Sequence, residues 1–464
     1  MVARRIVVIT AVFLVSTLAI YHFLPWTPHS SWPSVISDGR YSGISSDATS
    51  ETGASNGKNT AVRPAEALNY FDQVFSVNKP AAYDFPGLRQ YCASTQWRED
   101  DVYLICGGTG AGLTSIISEL KVCLKMAVET GSNLILPSMP LRDSTDLNEY
   151  NMEHPDKFLT FDQWFDADHF VSNMGKACPK MKIIHPKQLE THEVPVKTRF
   201  NVSLAEAKGY HFPDQYFWVG RPFRTFFEEQ YTKIEANITS QDPAANYKNG
   251  ITVVGVHAAF LLFRITDDPT HRDLALWNDL SLLIRFNQGP RQIIDRVLAR
   301  MNRPFYGVHF RVEKDAIWSP LEHQLTVDLN SLDAAWTKFG QHGAQKPLIY
   351  LACGDSHQVE KFVEAGAVRG WEVTHKWALA KEDPETLAMI NELAFDFQGA
   401  VDFGVMVKSE FFFGITGSAF SATVSNARDA MGRYRGSSLS VHDDGGARTH
   451  LTQDIDAQAY PCCL

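Results

Sequence analysis

The residues best suited to chemistry form a short run, His309-Phe310-Arg311-Val312-Glu313-Lys314-Asp315, which leaves an apolar segment at 304–310. An arginine at the carboxyl end of a strand can set two parallel N–H bonds on a pair of phosphate oxygens. Glu313 can fix its orientation. The plainer alternative is a surface salt-bridge cluster. The second candidate is Ser418, in the turn after the apolar run 410–415 (EFFFGI). Gly417 lets the backbone turn sharply, and Ser418 can cap the helix that follows. The free N–H groups of such a helix start, with their partial positive charge, hold anions. By itself this is an ordinary strand–turn–helix. The third candidate is Asp402, within 396–407 (DFQGAVDFGVMV). A carboxylate in so apolar a segment is costly to bury without a partner. The Watson–Crick edge of guanine would supply two donors; a backbone group or an arginine would serve a purely structural carboxylate. Asp396 stands six residues earlier, so on an unbroken helix only one of the two can face a base.

These residues need strands and helices to position them, and the second half of the chain supplies a clear series. Segments 304–310, 347–353, 371–377 and 410–415 read as strands. Between them, 329–339, 356–365 and a long stretch from Asp383-Pro384 to about Val407 read as helices, the last capped by Asp383 with Pro384 at its first position. Alternating strands and helices require a parallel sheet covered on both faces, with ligands at the carboxyl ends of the strands. Earlier in the chain, 101–106 (DVYLIC) reads as a buried strand, 113–128 as a helix with one apolar stripe, and 133–137 as a second strand.

The turn between the first two is Gly107-Gly108-Thr109-Gly110-Ala111-Gly112-Leu113-Thr114. It spaces Gly107 and Gly112 as a P-loop does, but Leu113 stands where that loop needs lysine, so nucleotide hydrolysis loses its main charge. No register satisfies the dinucleotide fingerprint. What survives is a turn whose backbone can approach a ligand closely, with Gly108 and Gly110 as the contacts; tight packing is the alternative. The region 141–289 is less regular and rich in aromatic residues, with a strand at 251–259 and a helix at 271–286. Its Asp166-Ala167-Asp168 matches a metal- and sugar-nucleotide-binding pair at only two residues, and chance is the simpler reading.

Length and composition fit a globular protein of roughly two to four domains. The formal charge of −10 argues against a general nucleic-acid binder. Seven cysteines include no C-x-x-C pair, which argues against zinc and leaves one or two disulfides of unspecified pairing. Arg4 and Arg5 precede the apolar run 6–24, which is long enough to cross a bilayer and puts the N-terminus in the cytosol. An uncleaved anchor is the expectation, with a cleaved signal peptide as the rival. Either way the remainder enters the secretory lumen, in keeping with sequons at Asn201 and Asn237. Residues 29–60 are too polar to bury a core and read as a stem.

The run HFRVEKD, then GWEVTHKW, then AFDFQGAVDFGVMVKSEFFFGITGSAFS resembles the fungal branch of the GDP-fucose protein O-fucosyltransferase-like proteins. GGTGAGL is similar to that family's N-terminal glycine-rich segment, and the resemblance spans roughly 102–451. It implies an α/β fold of two facing Rossmann-like domains, a GT-B-type glycosyltransferase. Here they would be an acceptor-side domain at 86–300 and a GDP-sugar-binding domain at 301–464, behind an anchor at 1–28 and a stem at 29–85. It implies an inverting transfer without a metal or other cofactor. His309 and Arg311 would bind the diphosphate, Ser418 with the backbone of Ala419 and Phe420 would also hold phosphate, and Asp402 would read guanine. Family members carry asparagine or glutamate in the N-terminal glycine turn, whereas Gly107–Leu113 contains neither. An inverting transfer must place the acceptor's proton somewhere; Glu119, Glu313, Asp315 or the phosphate itself are the candidates.

The expectation is thus a single-pass, Golgi or endoplasmic reticulum enzyme that moves fucose from GDP-fucose to a hydroxyl of a protein or glycan. Arg311 and Glu313 would be its catalytic residues. The alternative is a catalytically silent nucleotide-binding or cell-wall-associated luminal protein of the same fold.

Overall fold

The computed structural model describes residues 70, 72–107, 112–143, 151, 153–202, 204, 216–241, 249–258, 262–265, 268–312, 320–341, 343–415, 418–430, 433 and 437–441. The apolar run at 6–24, the stem at 29–60, Gly108, Gly110, Glu313, Asp315 and the C-terminal Cys462-Cys463 all lie outside these residues.

Short, mostly apolar runs become strands. In chain order they are β1 (Val102–Gly107), β2 (Asn133–Ile135), β3 (Ser138–Pro140), β4 (Phe158–Thr160), β5 (Ile183–Ile184), β6 (Val196–Val202), β7 (Ile251–His257), β8 (Phe305–His309), β9 (Leu348–Ala352), β10 (Val373–Thr374), β11 (Phe411–Ile415) and β12 (Ser438–Val441). They form two five-stranded sheets, ordered β5-β2-β1-β7-β6 and β10-β9-β8-β11-β12, with β3 and β4 as a separate antiparallel pair. Every pairing inside the two larger sheets is parallel. The central strands β8 and β9 are buried at every position, as a parallel sheet covered by helices demands. The chain is therefore an α/β fold with parallel sheets.

Seven helices matter for the site and its support: α1 (Leu113–Thr130), α2 (Ala167–Ala177), α3 (Gln288–Ala299), α4 (Lys376–Ala380), α5 (Pro384–Glu392), α6 (Phe395–Met406) and α7 (Ala419–Ala430). α1 crosses from β1 to β2 and α7 from β11 to β12, so each opens at the carboxyl end of a central strand. α3 packs on α6 so closely that a Cβ on Gly404 would lie 2.2 Å from Ile294 Cδ1.

Three segments differ from the sequence-based expectation. The strand expected at 371–377 shrinks to β10, because His375 Nδ1 accepts the Ala378 N–H at 3.4 Å and turns the chain into α4. The long helix expected from Pro384 to Val407 is two helices, α5 and α6, separated at Leu393 and Ala394, whose backbones are extended (ψ 135 and 155). The irregular middle also hides β6, whose alternating exposure marks an edge strand with one wet face.

Two disulfides tie the first sheet's surroundings, Cys92–Cys178 and Cys106–Cys123. Cys353 is a buried thiol. Among the described residues no helix is long and apolar enough to cross a membrane.

Candidate active site

The strand ends and helix starts converge on one cavity with about 950 Å³ of empty space, counting the part open to solvent. Its lining combines Gly112–Ser115 at the start of α1, Arg142 beyond β3, His309 and Arg311 beyond β8, and Ala352–Gly354 beyond β9. Lys376 of α4, five residues of α6 including Asp396 and Asp402, and Ser418–Phe420 at the start of α7 complete it. His309, Arg311, Asp402, Ser418, Ala419 and Phe420, six candidates read from separate stretches of sequence, thus share one wall-to-wall space.

β8 delivers His309 to the edge of the cavity, and α7 fixes its ring. Nδ1 lies 2.8 Å from Ser421 Oγ, and the Phe420 ring packs 4.7 Å from the imidazole. Ser421 Oγ also accepts the Ile415 N–H at 3.1 Å. When the serine proton goes to Nδ1, the ring keeps its own proton on Nε2, where it can donate to an anion. Burial, with the Arg311 charge adding to it, pushes the His309 pKa from 6.5 down to about 3, so the ring is neutral at physiological pH. Ser418 caps α7: its carbonyl accepts the Ala422 N–H, and its Oγ takes the Ser421 N–H at 3.4 Å. The opening turn of α7 therefore faces the cavity, and that of α1 does the same with Thr114 and Ser115. Two helix starts directed at one space favour a multiply charged anion.

The carboxylates are held differently from the sequence-based picture. Asp402 is buried; Oδ1 accepts from Tyr350 Oη at 2.7 Å and Oδ2 from Lys376 Nζ at 2.8 Å. Burial raises its pKa, and Lys376 opposes that shift. Asp396 opens α6 and takes three bonds from Arg142, through its backbone N–H (3.2 Å), Nε (3.0 Å) and Nη2 (3.0 Å). The Arg142 guanidinium also lies 5.0 Å from the Phe395 ring and against Gly112, where a Cβ would come within 3.1 Å of it. Both carboxylates line the cavity although α6 is unbroken between them. At helical pitch they stand about 120° apart, and the cavity spans that whole arc. Three cationic side chains (Arg142, Arg311, Lys376) against two carboxylates leave the described lining one positive charge in excess.

Sequence reasoning missed Arg142, Lys376, Tyr350 and Ser421. Lys376 lies in a motif noted for its resemblance but read as a strand, which hid its direction. Ser421 carries a signal: it follows the cap by one helical turn's worth of residues on the side that faces β8. Arg142 and Tyr350 reach the site only through the tertiary fold. Of the other candidates, Glu119 is buried within α1 and does not line the cavity. Asp166 caps α2 through the His169 N–H and pairs with Arg285 and Arg291, each at 3.0 Å, so it serves structure. Gly108, Gly110, Glu313 and Asp315 lie outside the described residues. No group of three or more metal-ligating side chains occurs among the described residues.

No curated protein sequence matches the chain. Among solved structures it is similar to POFUT1 in complex with GDP (13% identity, 72% of this chain and 96% of that one, TM-score 0.40). It is also similar to POFUT1 with GDP-fucose (15%, 72% and 95%, TM-score 0.39) and to an Arabidopsis thaliana FUT1 mutant with GDP (12%, 80% and 79%, TM-score 0.37). The family model for GDP-fucose protein O-fucosyltransferase matches residues 112–431, which is more than half of the sequence and includes every described residue of the cavity. On that match the chain belongs to the GDP-fucose protein O-fucosyltransferase family.

Proposed function

We propose that the protein transfers fucose from GDP-fucose to a hydroxyl group of a protein or glycan, with inversion at the sugar carbon and without a metal. One observation carries this reading: within the family segment, Arg311 and the opening turn of α7 line the same cavity as His309 and the start of α1. In the proposed reaction the acceptor oxygen bonds to the anomeric carbon as the bond from that carbon to the diphosphate oxygen breaks. The electron pair leaves with GDP. Arg311, the His309 Nε2–H, the Ser418 hydroxyl and the N–H groups of Ala419 and Phe420 would meet the charge that develops on the diphosphate, which is where preorganised donors are worth most. The hydroxyl proton passes to a base that lies outside the described lining or to the departing phosphate. Glu313 keeps its proposed place beside Arg311, and Gly108 and Gly110 theirs near the ligand.

The proposed arrangement is two Rossmann-like domains, 86–300 and 301–464, with the donor between them and the acceptor entering from the first. We place the catalytic part in the lumen of the Golgi or endoplasmic reticulum, behind a type II anchor at 6–24. The two disulfides support an oxidising compartment. A second reading is a silent nucleotide-binding protein. It is favoured by the absence of asparagine or glutamate from Gly107–Leu113 and by the ion pairs that hold both described cavity carboxylates. Titration calorimetry with GDP, paired with a GDP-fucose turnover assay, decides between them. Binding with turnover is expected; binding without it supports the silent protein, and no GDP binding removes both readings.

A further inference from the structure

We propose that Lys376 and Tyr350 are positioning residues for base recognition: they hold Asp402 as a charged fork whose outward lone pairs take two adjacent N–H donors from a purine edge. The proposal rests on the reading of the cavity as a nucleoside-diphosphate site. Three elements meet at this point. β9 brings Tyr350, α4 brings Lys376, and α6 brings Asp402, all of them buried. The turn into α4 that replaces the expected strand is what aims Lys376 inward; its Nζ lies 4.0 Å from the Trp377 ring centroid and 2.8 Å from Asp402 Oδ2.

An ionised carboxylate offers about four acceptor sites. Tyr350 and Lys376 occupy one on each oxygen, which leaves one on each. Two free sites side by side suit two parallel donors, the geometry by which carboxylates take a guanidinium fork. Guanine carries such a pair, its ring N1–H and exocyclic amine. Hypoxanthine carries only the ring N–H, and adenine presents an acceptor at that ring position. Lys376 has two effects here. It keeps the buried carboxylate charged, where a protonated acid would lose one acceptor site, and it cancels a negative charge that would otherwise repel the diphosphate from the same cavity. Tyr350 fixes the rotation of the carboxylate from the other side. Its own hydroxyl is kept protonated by burial and by Asp402, so it remains a donor.

The test measures GDP, IDP and ADP binding by calorimetry to the wild-type protein and to Lys376→Met, Lys376→Arg and Tyr350→Phe, with melting curves for each. The wild type should prefer GDP to IDP by about tenfold or more, the worth of one bond to a charged acceptor. In Lys376→Met that ratio should fall to about twofold or less, in Lys376→Arg most of it should return, and Tyr350→Phe should fall between. A Lys376→Met protein with an unchanged ratio overturns the proposal. So does an equal loss for all three nucleotides, which assigns Lys376 to the diphosphate. If Lys376→Met does not fold, Tyr350→Phe decides by the same ratio. A wild type that binds none of the three defeats the nucleotide reading itself, and this arm separates that failure from failure of the Lys376 assignment.

Discussion

Arg311 enters the cavity just past the end of β8, two residues after a histidine that the fold keeps neutral. A neutral donor beside a permanent cation suits a leaving group whose charge grows during the reaction. Removing the guanidinium in Arg311→Ala should cost about 2–4 kcal/mol of transition-state stabilisation, or about 30- to 1,000-fold in kcat/KM. The melting temperature should stay near that of the wild type, and Arg311→Lys should recover only part of the rate, because an ammonium cannot form the fork. An unchanged rate in Arg311→Ala would remove Arg311 from the mechanism. His309 supports a prediction about pH. Its folded pKa is depressed from 6.5 to about 3, so between those values the unfolded chain holds a proton that the folded chain does not. The stability tied to the neutral ring is therefore complete above pH 6.5 and is lost as the pH falls toward about 3. Melting curves at pH 6.5 and near pH 4 should show a smaller drop for His309→Gln than for the wild type; equal drops would mean that His309 does not contribute.

The elements explain what could be read from the sequence and what could not. β8, β9 and β11 were legible because a parallel strand buried on both faces is a continuous apolar run, and each ends near where its run ends. Ser418 was legible because a cap must follow a strand and precede a helix. The break between α5 and α6 was not legible: no proline or glycine marks it, and Leu393 and Ala394 are themselves strong helix formers. β6 was hidden for the opposite reason, since an edge strand carries charges. The pairings Arg142–Asp396 and Lys376–Asp402 join residues from distant elements, so no local pattern could announce them. The seating of α6 on α3 tests this packing directly. A methyl group on Gly404 meets Ile294 Cδ1 at 2.2 Å and Cγ1 at 2.9 Å inside a filled core. Gly404→Ala should destabilise by about 1–3 kcal/mol through overpacking. Combined with Ile294→Ala, which opens the space, it should cost less than the sum of the single changes, a coupling that denaturant titration of the four proteins can measure. Strict additivity would show that α6 shifts as a body.

At the scale of the whole molecule, the two disulfides constrain different lengths of chain around the first sheet. Cys92–Cys178 joins residues 86 apart in sequence, and Cys106–Cys123 joins residues 17 apart, linking β1 to α1 just ahead of the cavity. In the chain-entropy account, closing the longer loop restricts the unfolded state by about 4.6 kcal/mol and the shorter by about 3.1 kcal/mol. The longer bridge should matter more for stability. It ties Cys92, in the helix Pro86–Ser94, to Cys178 just past α2, so the N-terminal flank of the first sheet depends on it. The shorter one should matter more for the site, because it anchors the end of β1 from which the chain turns toward the start of α1. The pair of variants Cys92→Ser with Cys178→Ser should therefore lower the melting temperature further than Cys106→Ser with Cys123→Ser. GDP affinity should fall more in the second pair than in the first. Both pairs can be compared with the wild type, expressed under oxidising conditions, by melting curves and calorimetry on the same samples. If the short-loop pair proves the more destabilising while binding GDP normally, the bridge at β1 braces the core and not the cavity.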